Sequence, residues 1–79
     1  MALIVSFEEV AGASSRKHGP VEAGWRSFDF HGERILQIDT YGSPDRKRPG
    51  KQSQSIQLDR AGAEALLRIL SQTFPGLGR

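Results

Sequence analysis

Apolar residues recur with period two along the first three quarters of the chain and with helical period in the last. Ala2 to Val10, ALIVSFEEV, is rich in apolar and β-branched residues and predicts a strand. Val21 to Phe30, VEAGWRSFDF, alternates in two phases. Val21, Ala23 and Trp25 share one parity, and Phe28 and Phe30 share the other. Such a change predicts either a bulge near Arg26–Ser27 or an aromatic row on an open face. His31-Gly32 marks a hairpin tip. In RILQIDTY, Arg34 to Tyr41, the residues Leu36, Ile38 and Thr40 are expected to face the core. Ile35, Gln37, Asp39 and Tyr41 are expected to be largely exposed. Gln52 to Leu58 repeats the alternation, with Ile56 and Leu58 inward and Ser53, Ser55 and Gln57 outward. From the N-cap Asp59 the period changes. Ala63, Leu66, Leu67, Ile69, Leu70 and Phe74 form one helical stripe, which Pro75-Gly76 ends. Gly62 in its first turn weakens the helix slightly.

These elements predict an α+β fold of order ββββα, a four-stranded antiparallel sheet carrying one C-terminal helix, in a single domain over residues 1–79. Residues 11–20 read as a flexible loop ending in Gly19-Pro20. Residues 42–51 read as a second, basic loop. One helix covers one face of a sheet, so the other must be wet, or covered by a partner or ligand. Gln37, Asp39, Tyr41, Ser53, Ser55 and Gln57 belong to that open face. Trp25, Phe28 and Phe30 read individually as core residues, Tyr41 as a surface one.

Length sharpens the picture. A chain of 79 residues buries roughly 60–65% of its extended surface and gains from added stabilisation. It has no cysteine, and His18 and His31 are too few for a standard zinc site. Self-association, as a homodimer, is the expected stabiliser. No metal or other cofactor is called for. Ala2 to Val5 is too short for a signal-peptide core, and no stretch is long enough to span a membrane. An intracellular, cytoplasmic protein is expected.

The formal net charge is only +2, but its distribution is uneven. Glu8, Glu9, Glu22, Asp29 and Glu33 lie in the first half. Arg46, Lys47, Arg48 and Lys51 form a dense block with a single acid, Asp45, among prolines and glycines. A block like this attracts phosphate or any acidic partner, or serves only to keep a loop solvated. Basic loops beside aromatic side chains on a polar sheet suit single-stranded nucleic acid, whose unstacked bases gain ~1–3 kcal/mol each on rings.

Catalytic readings fare worse. GSPDRKRPGKQ has seven residues between Gly42 and Gly50, and a strand follows its lysine. A phosphate-binding P-loop needs four residues between its glycines and then a helix. Asp39 and Asp45 are too sparse for a metal nuclease. Neither histidine has a nucleophile or orienting partner in view, so the protein is expected not to be an enzyme.

GWRSFDFHG, ILQIDTYGSPDRKRPGK and SIQLDRAGAEALLRIL together resemble the transcriptional coactivator positive cofactor four and its small bacterial relatives. The shared features are an Asp-aromatic strand end, a glycine turn and a strand closed by an aromatic. A Ser-Pro-Asp loop, Pro-Gly-Lys, Ile-x-Leu and a leucine-rich helix follow. The resemblance covers Gly24 to Leu70 and implies a curved sheet, a homodimer and single-stranded DNA binding with little sequence preference, in transcription or DNA maintenance. It implies base stacking for Phe30, a matching aromatic at Tyr41, and basic contacts from Lys51 and Arg26. With the block Arg46, Lys47 and Arg48, these are the candidate nucleic-acid-binding residues. Asp39 departs from the family, which usually has arginine there, and QSQ lengthens the segment before Ile56. The alternative is a small adaptor or inhibitor that docks another protein through the open sheet face.

Overall fold

A computed structural model describes residues 1–12, 16–42 and 52–78 of the chain. Four strands and one helix follow in the expected order: β1 (Ala2–Ile4), β2 (Ala23–Phe30), β3 (Glu33–Tyr41), β4 (Gln52–Leu58) and α1 (Arg60–Thr73). They form one four-stranded sheet in the order β1-β4-β3-β2. β2, β3 and β4 are antiparallel neighbours, but β1 pairs parallel to β4. The sheet is therefore mixed rather than wholly antiparallel. β1 is also shorter than the predicted Ala2–Val10. Its last residue, Ile4, pairs with Leu58, where β4 itself ends. Beyond that point the partner chain turns into the helix and offers no ladder to continue.

Local chemistry fixes the connections. His31 and Gly32 both take positive φ, 51° and 81°, and close a two-residue hairpin whose twist suits β2 and β3. Pairing then runs without interruption from Phe30↔Glu33 to Ala23↔Thr40. No bulge occurs near Arg26–Ser27, so the change of parity instead splits the aromatic residues between the two faces. The register does shift between Thr40 and Tyr41 on the β4 side. At the helix start, the Asp59 side chain accepts a hydrogen bond from the Gly62 N–H at 2.8 Å, as an N-cap should. At the far end the Phe74 N–H donates to the Leu70 carbonyl and the Leu77 N–H to that of Phe74. Pro75 has no N–H to extend the ladder.

Residues paired across strands project to the same side of a sheet. One side carries Ala2, Ile4, Ala23, Trp25, Leu36, Ile38, Ile56 and Leu58, with Thr40 and Gln54 at one end and Ser27, Asp29 and Arg34 toward the hairpin, where Arg34 bonds both Asp29 and Ser27. This apolar face matches the predicted core side of β3 and β4. The opposite, polar face carries Leu3, Arg26, Phe28, Phe30, Ile35, Gln37, Asp39, Ser55 and Gln57.

Burial does not follow that division. Ile35 and Leu58 are the buried apolar side chains among the described residues, and they lie on opposite faces. Leu36 and Ile38 are half-buried, while Ile56 and Trp25 are exposed. Gln37, Asp39 and Ser55, expected outside, are the buried polar residues at 7%, 9% and 6% exposure. The cause is the position of α1. Its first turn abuts the end of β1 and Leu58, where a Cβ added to Gly62 would stand 2.6 Å from the Ile4 carbonyl oxygen. Farther along, Ile69, Gln72 and Thr73 share a cleft with Phe7, Glu8 and Glu9. Most of the apolar face is left uncovered. The polar side chains of β3 and β4 are instead shielded sideways, by one another.

Candidate nucleic-acid interface

The polar face is organised around a chain of side-chain hydrogen bonds. Gln57 donates from Nε2 to Gln37 Oε1 at 2.8 Å. Gln37 Nε2 in turn donates to Asp39 Oδ1 at 3.0 Å and Oδ2 at 3.3 Å. Ser55, paired directly with Asp39 across the strands, donates to the same carboxylate. Hydrogen bonds from Ser55 and then Gln37 hold the Asp39 carboxyl below its ordinary pKa. Partial desolvation opposes them, and the nearby Arg26 charge adds to the lowering. Asp39 therefore sits ionised and fully engaged. Among the described residues no buried side-chain polar atom lacks a partner, as expected where an unmet group would cost about 1–3 kcal/mol.

Three of the candidate residues rise from this floor. Arg26 stands on β2 beside Gln37 and is exposed. Phe30 is 61% exposed at the hairpin end, its ring edge-on to His31 at 4.2 Å between centroids. Tyr41 is half-buried at the other end. Its hydroxyl lies over Gly24, where a Cβ would stand only 2.5 Å away, so this glycine lets the ring lie flat on the polar face. Eight residues of strand separate the Phe30 and Tyr41 rows, which places them about 26 Å apart. They form the two ends of a platform and do not meet. Phe28 lies between them, half-buried against Ile35.

The expectation that Trp25 and Phe30 fill a core is corrected, since both are exposed and on opposite faces. Arg46, Lys47, Arg48 and Lys51 lie outside the described residues, as do the side chains of Gln52 and Ser53. The described residues that flank this basic segment, Tyr41 and Gln52, pair with each other at one end of the platform. The hydrogen-bonded row itself had a sequence signal that hydropathy misses. Amide, carboxylate and hydroxyl groups alternate at the same parity in QID and SIQ, so the register that pairs Leu36 with Leu58 and Ile38 with Ile56 stacks them together, whereas a one-residue slip would part them.

No group of three or more histidine or acidic side chains converges on a metal position among the described residues. Among the same residues, no helix is long and apolar enough to cross a membrane. No family model, curated protein or solved structure matches the chain, so its own geometry carries the functional reading.

Proposed function

We propose that this protein binds single-stranded nucleic acid on its polar sheet face, without catalysis and with little sequence preference. The kinship is with positive cofactor four-like DNA-binding proteins, and the working form is a homodimer. The observation that carries this reading is that Arg26, Phe30 and Tyr41 project from one face, with the residues that flank the basic segment, Tyr41 and Gln52, paired at one end of it. A platform about 26 Å long spans several nucleotides, within the range of site sizes seen for sheet-based binders. Arg46, Lys47, Arg48 and Lys51 draw the phosphate backbone to one end, while the rings stack bases along the face.

The Asp39 carboxylate is the natural objection, since a bare acid would repel phosphate. Its hydrogen bonds to Gln37 and Ser55, and the Arg26 charge beside it, reduce that repulsion, although a second acid, Glu33, shares the face beside Phe30. Affinity then depends on the loop cations and stacking.

Fluorescence anisotropy with labelled single-stranded DNA, duplex DNA and RNA at two salt concentrations tests the reading. Single strands should bind most tightly, with affinity falling steeply as salt rises. Replacing Arg46, Lys47 and Arg48 with glutamine should flatten the salt slope by up to about three units. Tyr41→Ala should weaken single-strand binding about fivefold or more, from ~1–3 kcal/mol of stacking, and leave the slope nearly unchanged. Absence of salt-sensitive binding to all three nucleic acids would overturn the proposal in favour of protein docking on the same face.

A further inference from the structure

Four residues of β2 belong to the polar face: Gly24, Arg26, Phe28 and Phe30. They follow one another at two-residue steps of about 7 Å. Three of them carry large side chains, and Gly24 carries none. Its place is taken from the neighbouring strand. The Tyr41 N–H donates to the Glu22 carbonyl at 3.1 Å, so Tyr41 starts level with Glu22, one such step beyond Gly24. Its side chain leans back over that step. The hydroxyl oxygen stands 2.5 Å from where a Gly24 Cβ would be, with the ring carbons Cζ and Cε2 at 3.3 and 3.4 Å.

Glycine inside a strand weakens it and often marks the close approach of another group. Backbone conformation is not the reason for this one. Gly24 is not among the glycines with positive φ, so any residue could adopt its backbone. What leaves no room for a side chain is the Tyr41 ring. Gly62 differs, because there a backbone carbonyl stands in the way. Over Gly24 the obstacle is the far end of a flexible side chain, so an added Cβ displaces the ring to another rotamer and leaves the ladder intact.

We infer that Gly24 is a positioning residue for the proposed base stacking: by lacking a side chain it seats Tyr41 in the β2 row, so that the Tyr41 ring, Arg26, Phe28 and Phe30 present one continuous line to a single strand. The inference rests on the nucleic-acid reading above and adds to it the path that the strand takes along β2. The seat shortens the span between the two outer rings from about 26 Å to about 20 Å, six residues of β2. It also brings the Tyr41 ring next to Arg26, so a base on the ring and a phosphate on the guanidinium lie one step apart. With the seat filled by a Cβ, the ring has to swing away from Arg26, and the line breaks at its Tyr41 end.

A double-mutant cycle on the full chain tests this, read by anisotropy with labelled single-stranded DNA. Gly24→Ala should weaken binding about fivefold or more, as the loss of one stacked base implies, and leave the salt slope nearly unchanged. Tyr41→Phe keeps the ring but removes the hydroxyl, the atom nearest the added Cβ. In that background Gly24→Ala should cost less than about twofold, a rescue that a merely structural glycine would not show. Nuclear Overhauser contacts between the Tyr41 ring and the Gly24 α-protons should be present in the free wild-type protein, which checks the seat without nucleic acid. A wild type that binds while Gly24→Ala costs nothing overturns the inference. So does an equal cost in both backgrounds, absence of the ring contacts, or a Gly24→Ala chain that circular dichroism shows unfolded, since the ladder rather than the ring would then have yielded. A wild type that shows the ring contacts and binds no single strand is the distinct outcome in which the nucleic-acid reading fails and the positioning role falls with it.

Discussion

Asp39 shows how the hydrogen bonds around one side chain decide its charge and its effect on stability. Its carboxylate accepts hydrogen bonds from both Gln37 and Ser55, and these favour the ionised form. The folded-state pKa is therefore below the unfolded value, and the direction of the stability effect follows. The stabilisation is fully present above about pH 4, the unfolded carboxylate range, and is lost as pH falls through the lower folded value. Asp39→Asn should reduce stability at pH 7 and flatten the loss between about pH 4 and pH 2. Urea unfolding at pH 7, 4 and 3 checks this; parallel pH profiles for the two proteins would show that the network contributes no proton linkage. That Asp39 and Ser55 share a face was legible in the alternation of β3 and β4; that they pair directly is set by the register. Their burial was not legible, because hydropathy ranks these residues as exposed and their shielding comes from sideways neighbours.

Within the elements, the hairpin, the N-cap and the helix stop were legible because each depends on a few adjacent residues. His31-Gly32 supplies the two positive φ angles, and Asp59 supplies the cap three residues before its donor, Gly62. The partner of β1 was not legible, since Ala2 meets Ile56 and no local pattern encodes that distance. Gly62 was misjudged for the same reason. Read along the helix it is a weak residue, and alanine should gain up to about 1 kcal/mol. Read in three dimensions it is the place where the helix meets the backbone of β1. A Cβ there would lie 2.6 Å from the Ile4 carbonyl oxygen, an atom that cannot swing aside as a side chain would. Gly62→Ala should therefore destabilise the protein, by about 1–3 kcal/mol for overpacking. Thermal denaturation settles the sign, and a raised melting temperature would mean that β1 yields.

At the scale of the whole molecule, the sequence pointed to self-association from shortness and lack of cysteine. The structure adds where the surface lies open. The apolar stripe of α1 and the apolar face of the sheet were both legible, but not that they meet chiefly at the start of the helix, where Gly62 abuts Leu58. The tight cap at Asp59 and the contact at Gly62 tie that start to the β1–β4 edge. The residues that flank the basic segment, Tyr41 and Gln52, pair at one end of the polar platform.

The parallel pairing of β1 with β4 also sets an order of assembly. The β2–β3 hairpin closes over two residues, a contact formed within microseconds in simple hairpins. β1 must instead find a strand more than fifty residues away, and closing such a loop is entropically unfavourable until its partner exists. β1 should dock late, after β3 and β4 have paired. Substitutions at Ile4 should then speed unfolding and leave refolding nearly unchanged, while Ile38→Val should slow refolding. Stopped-flow kinetics in urea distinguishes the two limbs, and a slowed refolding limb for Ile4→Val would place β1 in the nucleus instead. Since Gly62 rests on the Ile4 carbonyl, the seating of the helix waits for the same event, and the two ends of the chain become native together.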